Sequence, residues 1–345
     1  MSNNVPDPII LVDMMNLVFR SHYAHHELKS ADGRHTGVQY GVLKTMRDLR
    51  ASVSKRIVFV WDHGVPVLGA PRPHNWRDGI MDGYKAARKP NDAYADVVPQ
   101  LAPLHRILCL LGYSHASVMG LEADDMIGVL AKSAWPKSAK LILSTDKDFY
   151  QLLDEYYIHV LTPKKDKGAF RFIYQSDVER EYGISVERWS EYLALGGDKS
   201  DSIKPMRGMG PKTAIKLIQS GVDLNKASAA QPRAFKDKYI EVWSDIQKCW
   251  SAARIPTSIQ DPRILSCLKA DGANSLTPSP DQYWPNADAK ARGLREFTSF
   301  LADRGMLSLL ADAKSFFDTE SNQQCEQKTE KTRAAKSTRP ARRLL

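Results

Sequence analysis

Three short apolar runs along the chain end in the same way. "IILVD" closes on Asp13, "IVFVWD" on Asp62, and "KLILSTDKD" on Asp146 and Asp148. Runs of β-branched and apolar residues this brief predict buried strands. Between them the apolar positions fall at helical spacing, as in "GVLKTMRDLRASV" and "VVPQLAPLHRILCLLG". Strand alternating with helix predicts an α/β fold, a mainly parallel central sheet flanked by helices. In such sheets the groups at the carboxyl ends of the strands converge on one crevice. The acid-terminated strands should therefore point into a single site.

The remaining pattern divides the chain. Residues 1–175 read as the core, interrupted at about 63–100 by a stretch rich in Pro, Gly, Arg and Lys with no clear strand. An insertion that long is more often functional than idle. Residues 176–225 read as helical around "GGDKSDSIKPMRGMGPKT", and 226–320 as further helices packed on the core without a chemical motif. Residues 321–345 are polar and basic, the composition of a disordered tail.

Composition narrows the class. The chain has 345 residues, 43% of them hydrophobic, but no run of about 18 apolar residues, so no membrane span is expected. The N-terminus lacks a basic segment ahead of its apolar run, which argues against a signal peptide and for the cytoplasm. The four cysteines show no C-x-x-C spacing and predict no structural zinc. A net charge of +9 suits a polyanionic partner.

Against that basic background stand the carboxylates Asp13, Asp62, Glu122, Asp124, Asp125, Asp146, Asp148, Asp198 and Asp201. Any one of them could be an ordinary turn former or helix cap. Together they repel: two ionised groups about 4 Å apart cost roughly 4 kcal/mol at an effective dielectric near 20. A hard divalent cation relieves that repulsion. Oxygen ligands without His or Cys suit Mg²⁺ or Mn²⁺, and two such ions can promote phosphodiester hydrolysis. In "RGMGPKTA", Gly208 and Gly210 allow close backbone approach and Pro211 opens a helix, with Lys212 and Thr213 next. The exposed N–H groups of such a helix start suit a phosphate.

In order along the chain stand "LVDMMNLVFRSHYA", "TGVQYGVL", "VFVWD", "WRDGIMDGYKAARKP", "GLEADDMIG", "STDKDFYQLL" and "GGDKSDSIKPMRGMGPKTAIKLI". This series, from about residue 9 to 220, resembles the 5′-nuclease family: the nuclease domain of bacterial DNA polymerase I, phage 5′-exonucleases and flap endonucleases. The resemblance implies a PIN-like fold with two or more Mg²⁺ on the nine carboxylates, Mn²⁺ able to substitute. It implies an arch over the site at 63–100, in which Arg77, Lys85 and Arg88 hold phosphate near the cut and Tyr84 stacks on a terminal base. Lys85 and Arg88, three apart, would share one helix face. It further implies a helix–three-turn–helix at 176–225 that grips duplex through Lys204, Arg207, Gly208, Gly210, Lys212 and Thr213, with K⁺ bound there. Arg20 would contact DNA as well.

Two positions depart from the family's usual pattern. Met14 stands where Gly is common, which would strain a backbone with positive φ, and Lys204–Pro205 replaces Pro-Gly, changing the turn. The implied protein is a stand-alone, monomeric 5′→3′ exonuclease and flap endonuclease. Its expected partners are DNA 5′ ends, flaps or junctions, and RNA–DNA hybrids. Two rivals make other demands. An inactive structure-specific DNA-binding protein predicts missing acids, and none is missing. A PIN-like ribonuclease would normally lack both the glycine-rich grip and the arch.

Overall fold

The computed structural model describes residues 6–64, 73–85, 93–164, 169–272 and 277–319. Six strands form one sheet: β1 (Ile9–Asp13), β2 (Ile57–Val60), β3 (Ser114–Ala116), β4 (Lys140–Leu143), β5 (Ile158–Pro163) and β6 (Phe170–Ile173). Their order is β3-β2-β1-β4-β5-β6, and every pairing is parallel except β5 with β6. The chain crosses from one side of β1 to the other between β3 and β4, which opens a crevice at the carboxyl ends of β1, β2 and β4.

Both faces of the sheet are covered, which explains why its strands read as continuous apolar runs. Along β1, Ile9 and Leu11 enter one core, while Ile10 and Val12 enter the other. The helices α1 (Met14–His25), α2 (Gly37–Ser52) and α3 (Ala93–Leu110) cover the second face. Helix α4 (Ala123–Ser133) covers the first. Then come α5 (Gln175–Tyr182), α6 (Trp189–Gly196) and α7 (Pro211–Gln219), the last two also in the first core.

The remaining helices are α8 (Arg233–Tyr239), α9 (Trp243–Ala253), α10 (Pro262–Asp271), α11 (Ala287–Asp303) and α12 (Leu307–Leu310). They divide between the layers. Ile246 and Trp250 of α9 join the α4 side, whereas Phe297 and Leu301 of α11 join the α1–α3 side. The described residues contain no helix long and apolar enough to cross a membrane. The tail expected to be disordered lies outside the described residues.

Two expectations change. The insertion closes sooner, since α3 begins at Ala93. Met14 opens α1 and is not among the non-glycine residues at positive φ (His63, Lys85, Trp135 and Ser202 in the described chain), so a side chain there costs no backbone strain.

Candidate metal centre

Each strand end delivers its acid through local structure. Asp13 ends β1 and caps α1, its Oδ1 accepting the Asn16 N–H at 3.2 Å. Asp62 follows β2 and accepts the Ala123 N–H at 2.7 Å, which seats it at the positive end of α4. Asp146 caps the short turn Lys147–Leu152 and accepts the Asp148 N–H at 3.0 Å. Ser144 joins two of these groups: its hydroxyl donates to Asp13 Oδ2 at 2.9 Å and accepts the Asp146 N–H at 3.0 Å. Asn16 Oδ1 accepts from the Thr145 N–H and hydroxyl at 3.2 and 3.1 Å, tying α1 to the β4 loop.

The last two acids come from the turn after α6. Reciprocal backbone hydrogen bonds between Asp198 and Ile203, both 2.8 Å, close it, and Ile203 anchors it in the core. Carboxylate oxygens of Asp148, Asp198 and Asp201 then lie within 4.8 Å of one another. That set consists of hard oxygen donors only, and it fits a divalent cation such as Mg²⁺. Asp13, Asp62, Glu122, Asp124, Asp146, Asp148 and Asp201 line one cleft of about 780 Å³.

Asp125 does not face that cleft. It is fully buried, with Oδ2 accepting from Trp76 Nε1, Arg77 Nη1 and the Glu122 N–H, each at 3.0 Å. Glu122 is the N-cap of α4 and Asp125 stands at its third position. Through Trp76 and Arg77, Asp125 anchors the insertion to α4.

Two of the predicted phosphate and base contacts, Arg77 and Tyr84, are also placed differently. Arg77 is 1% exposed. Its guanidinium reaches Glu122 at 3.4 Å, Asp124 at 3.2 Å and Asp125 at 2.8 Å, and Nε donates to the Ala252 carbonyl at 2.9 Å. Tyr84 is 2% exposed, its hydroxyl 2.8 Å from Glu122 Oε2 and 3.1 Å from Asp201 Oδ2. No face of that ring is open to a base. Lys85 lines the cleft and pairs with Glu122 at 2.7 Å and Asp201 at 3.5 Å. It sits in a turn at φ +55°, so no helix face carries it. Arg88 lies outside the described residues.

Sequence reading missed an aromatic wall. Phe19 and Tyr23, one turn apart on α1, line the cleft with Tyr94 of α3. The Phe19 and Tyr94 rings are 5.4 Å apart, and Tyr23 and Tyr94 are 63% and 44% exposed. The i,i+4 pair in "FRSHY" was the available signal. Arg20 stands beside them, with Nη2 3.4 Å from the Pro163 carbonyl.

At the grip, Lys204, Arg207, Gly208 and Lys212 are exposed, while Gly210 and Thr213 are half-buried. Gly208 has φ +81°, which favours glycine. Gly210 has φ −103° and open space where a side chain would begin.

A second group of ligand atoms, on His105, Cys109 and His115, also falls within 4.8 Å. Trp61 Nε1–H donates to His115 Nδ1 at 2.9 Å. The neutral ring therefore carries its proton on Nε2, with no lone pair there for a metal. Burial lowers His115 to about 3, and the ring stacks on Phe59 and Trp61. It is a core histidine.

Five of the cleft acids, Asp13, Asp62, Asp124, Asp146 and Asp148, hold their protons more tightly than an ordinary carboxyl does. Burial, then the charges of Asp62 and Asp146, push Asp13 up to about 7. Asp62, Asp146 and Asp148 are likewise raised, by burial first and neighbouring carboxylates second. Glu122 goes the other way: burial raises it, but Lys85 and Arg77 outweigh burial and hold it at about 2.

A raised folded-state value means the native state binds protons that the unfolded chain has released, so stability falls as pH rises between the two values. In EDTA, melting temperature should decline from about pH 5 to about pH 8. Asp13→Asn should flatten the slope, and Mg²⁺ at the upper end should restore the loss. A metal-free melting temperature that rises with pH over that range would contradict the mutual repulsion.

Residues 8–183 match the family described as "5′-3′ exonuclease, N-terminal resolvase-like domain". The chain is 34% identical over 226 residues to DNA polymerase I of Deinococcus radiodurans, covering 65% of this chain and 22% of that one. It is 33% identical over 217 residues to a 5′-3′ exonuclease of Buchnera aphidicola, covering 61% of this chain and 70% of that protein. The chain thus spans under a third of the polymerases it matches. A T5 5′-exonuclease structure with divalent metal ions (zinc) bound superposes with a TM-score of 0.55 at 16% identity, covering 85% of this chain and 98% of that one. That likeness concerns the fold.

Proposed function

The chain belongs to the 5′-3′ exonuclease family, and from that premise we propose that it hydrolyses DNA phosphodiester bonds near 5′ ends, flaps and junctions with two divalent metals. The observation that carries this reading is the convergence of seven carboxylates on one cleft, with an exposed basic turn at 204–212 following the last of them in the chain. Asp148, Asp198 and Asp201 would hold one Mg²⁺, with Mn²⁺ able to replace it, and Asp13, Asp62, Glu122, Asp124 and Asp146 a second. Bound metal would supply the activation of water and the stabilisation of the leaving oxygen. Asp125 would position Glu122 and Arg77.

This chain's other residues orient the strand. Lys85, released from Glu122 when metal and DNA enter, would meet the phosphate being cut. Tyr23 and Tyr94 would stack on the terminal bases, the part first given to Tyr84. Lys204, Arg207, Gly208, Gly210, Lys212 and Thr213 would grip the duplex backbone without reading sequence. The reading extends to K⁺ at that turn and to RNA–DNA hybrids as substrates, and to a monomer as the working unit.

A 5′-labelled flap duplex tests it. Wild type should release 5′-mononucleotides or short oligonucleotides in Mg²⁺ and nothing in EDTA. Lys85→Ala should slow single-turnover cleavage by on the order of 10²-fold, the scale of one preorganised donor, while duplex affinity in Ca²⁺ hardly changes. Gly210→Val should weaken affinity instead, with most of the rate recovered at high DNA concentration. Cleavage that persists in EDTA would end the metal reading, and one shared phenotype for both variants would end the division of labour.

A further inference from the structure

Helix α8 lies beyond the family match and beyond the last recognisable motif, and no chemistry has been attached to it. Phe235 is 1% exposed and anchors the helix in the core. One turn on, the Tyr239 ring packs against Phe235 with centroids 5.3 Å apart. The Tyr239 side chain is half-buried there. Its hydroxyl is 3.8 Å from the point where a side chain on Gly208 would begin. Gly208 is the exposed left-handed residue that leads into α7, whose N-cap Gly210 supplies no side-chain cap. Among the described residues the Tyr239 hydroxyl has no hydrogen-bond partner. Helix α8 thus holds a neutral donor at the mouth of the glycine turn, on a ring fixed by packing.

We propose that the Tyr239 hydroxyl donates a hydrogen bond to the same duplex phosphate that the turn from Arg207 to Thr213 receives. The inference rests on the reading of that turn as the duplex grip. It gives the C-terminal helices a part in holding substrate as well as in covering the sheet. Because the hydroxyl carries no charge, it strengthens binding without releasing a counterion.

The experiment measures affinity of the full chain for a blunt duplex in Ca²⁺ across a salt series, for Tyr239→Phe and Lys212→Ala. Tyr239→Phe keeps the ring, so thermal unfolding should match wild type. Its affinity should fall by about 3- to 10-fold, the range of one neutral hydrogen bond, at an unchanged salt slope. Lys212→Ala should weaken binding and lower the slope by about one. If Lys212→Ala weakens binding and Tyr239→Phe binds like wild type, Tyr239 has no such role. If Lys212→Ala also binds like wild type, the grip reading itself is overturned.

Discussion

Arg77→Ala should destabilise the metal-free protein by about 3–5 kcal/mol, the cost of leaving buried charges without their partner. The guanidinium touches three carboxylates and a carbonyl, and its carbon lies 4.3 Å from the centre of the Trp76 ring. Without it, Asp125, which is fully buried, loses its counter-ion. Solvent cannot reach in to replace it. Arg77→Lys should recover little, because an ammonium cannot serve acids on several sides as a planar fork does. Urea unfolding in EDTA measures the effect. A residue that only gripped phosphate would leave the unfolding curve where it was and lower cleavage alone; that result would return Arg77 to the substrate.

Asp148→Asn, in the cleft itself, should move stability the other way. Burial and the charges of Asp146, Asp198 and Asp201 hold the Asp148 carboxyl well above its ordinary value. Near neutral pH the native state therefore pays for every charge it keeps there, and an amide removes one. Metal-free melting temperature should stay equal or rise. Cleavage should fall by at least on the order of 10²–10³-fold, comparable to losing a preorganised charge-stabilising group. Asp146→Asn should behave alike. A variant that cleaves at the wild-type rate removes Asp148 from the centre; one that unfolds as Arg77→Ala does makes it a structural carboxylate.

These opposite outcomes within one cluster mark what could be read from the chain. Asp13, Asp62, Asp146 and Asp148 follow strands that announce themselves by composition, and a parallel sheet brings such positions together. The turn before α7 was legible because Gly208 takes a positive φ that favours glycine and Pro211 suits the first turn of a helix. Helices α8 to α12 could be expected as helices, but nothing in their pattern showed that α9 and α11 would pack on opposite layers.

The sequence by itself determined the two-sided sheet, the convergence of acids at the carboxyl ends of its strands and the glycine turn that opens α7. Each follows from short-range periodicity or from one residue's own conformational preference. Tertiary structure alone decided the partners: that Arg77 turns inward to Asp125 across 48 positions, that the Tyr84 hydroxyl lies against Asp201 across 117, and that Tyr239 reaches Gly208. A side chain's charge and shape are written in the chain. Whether it meets water, a carboxylate or a phosphate depends on which distant segment packs beside it, and the chain's local pattern holds no record of that.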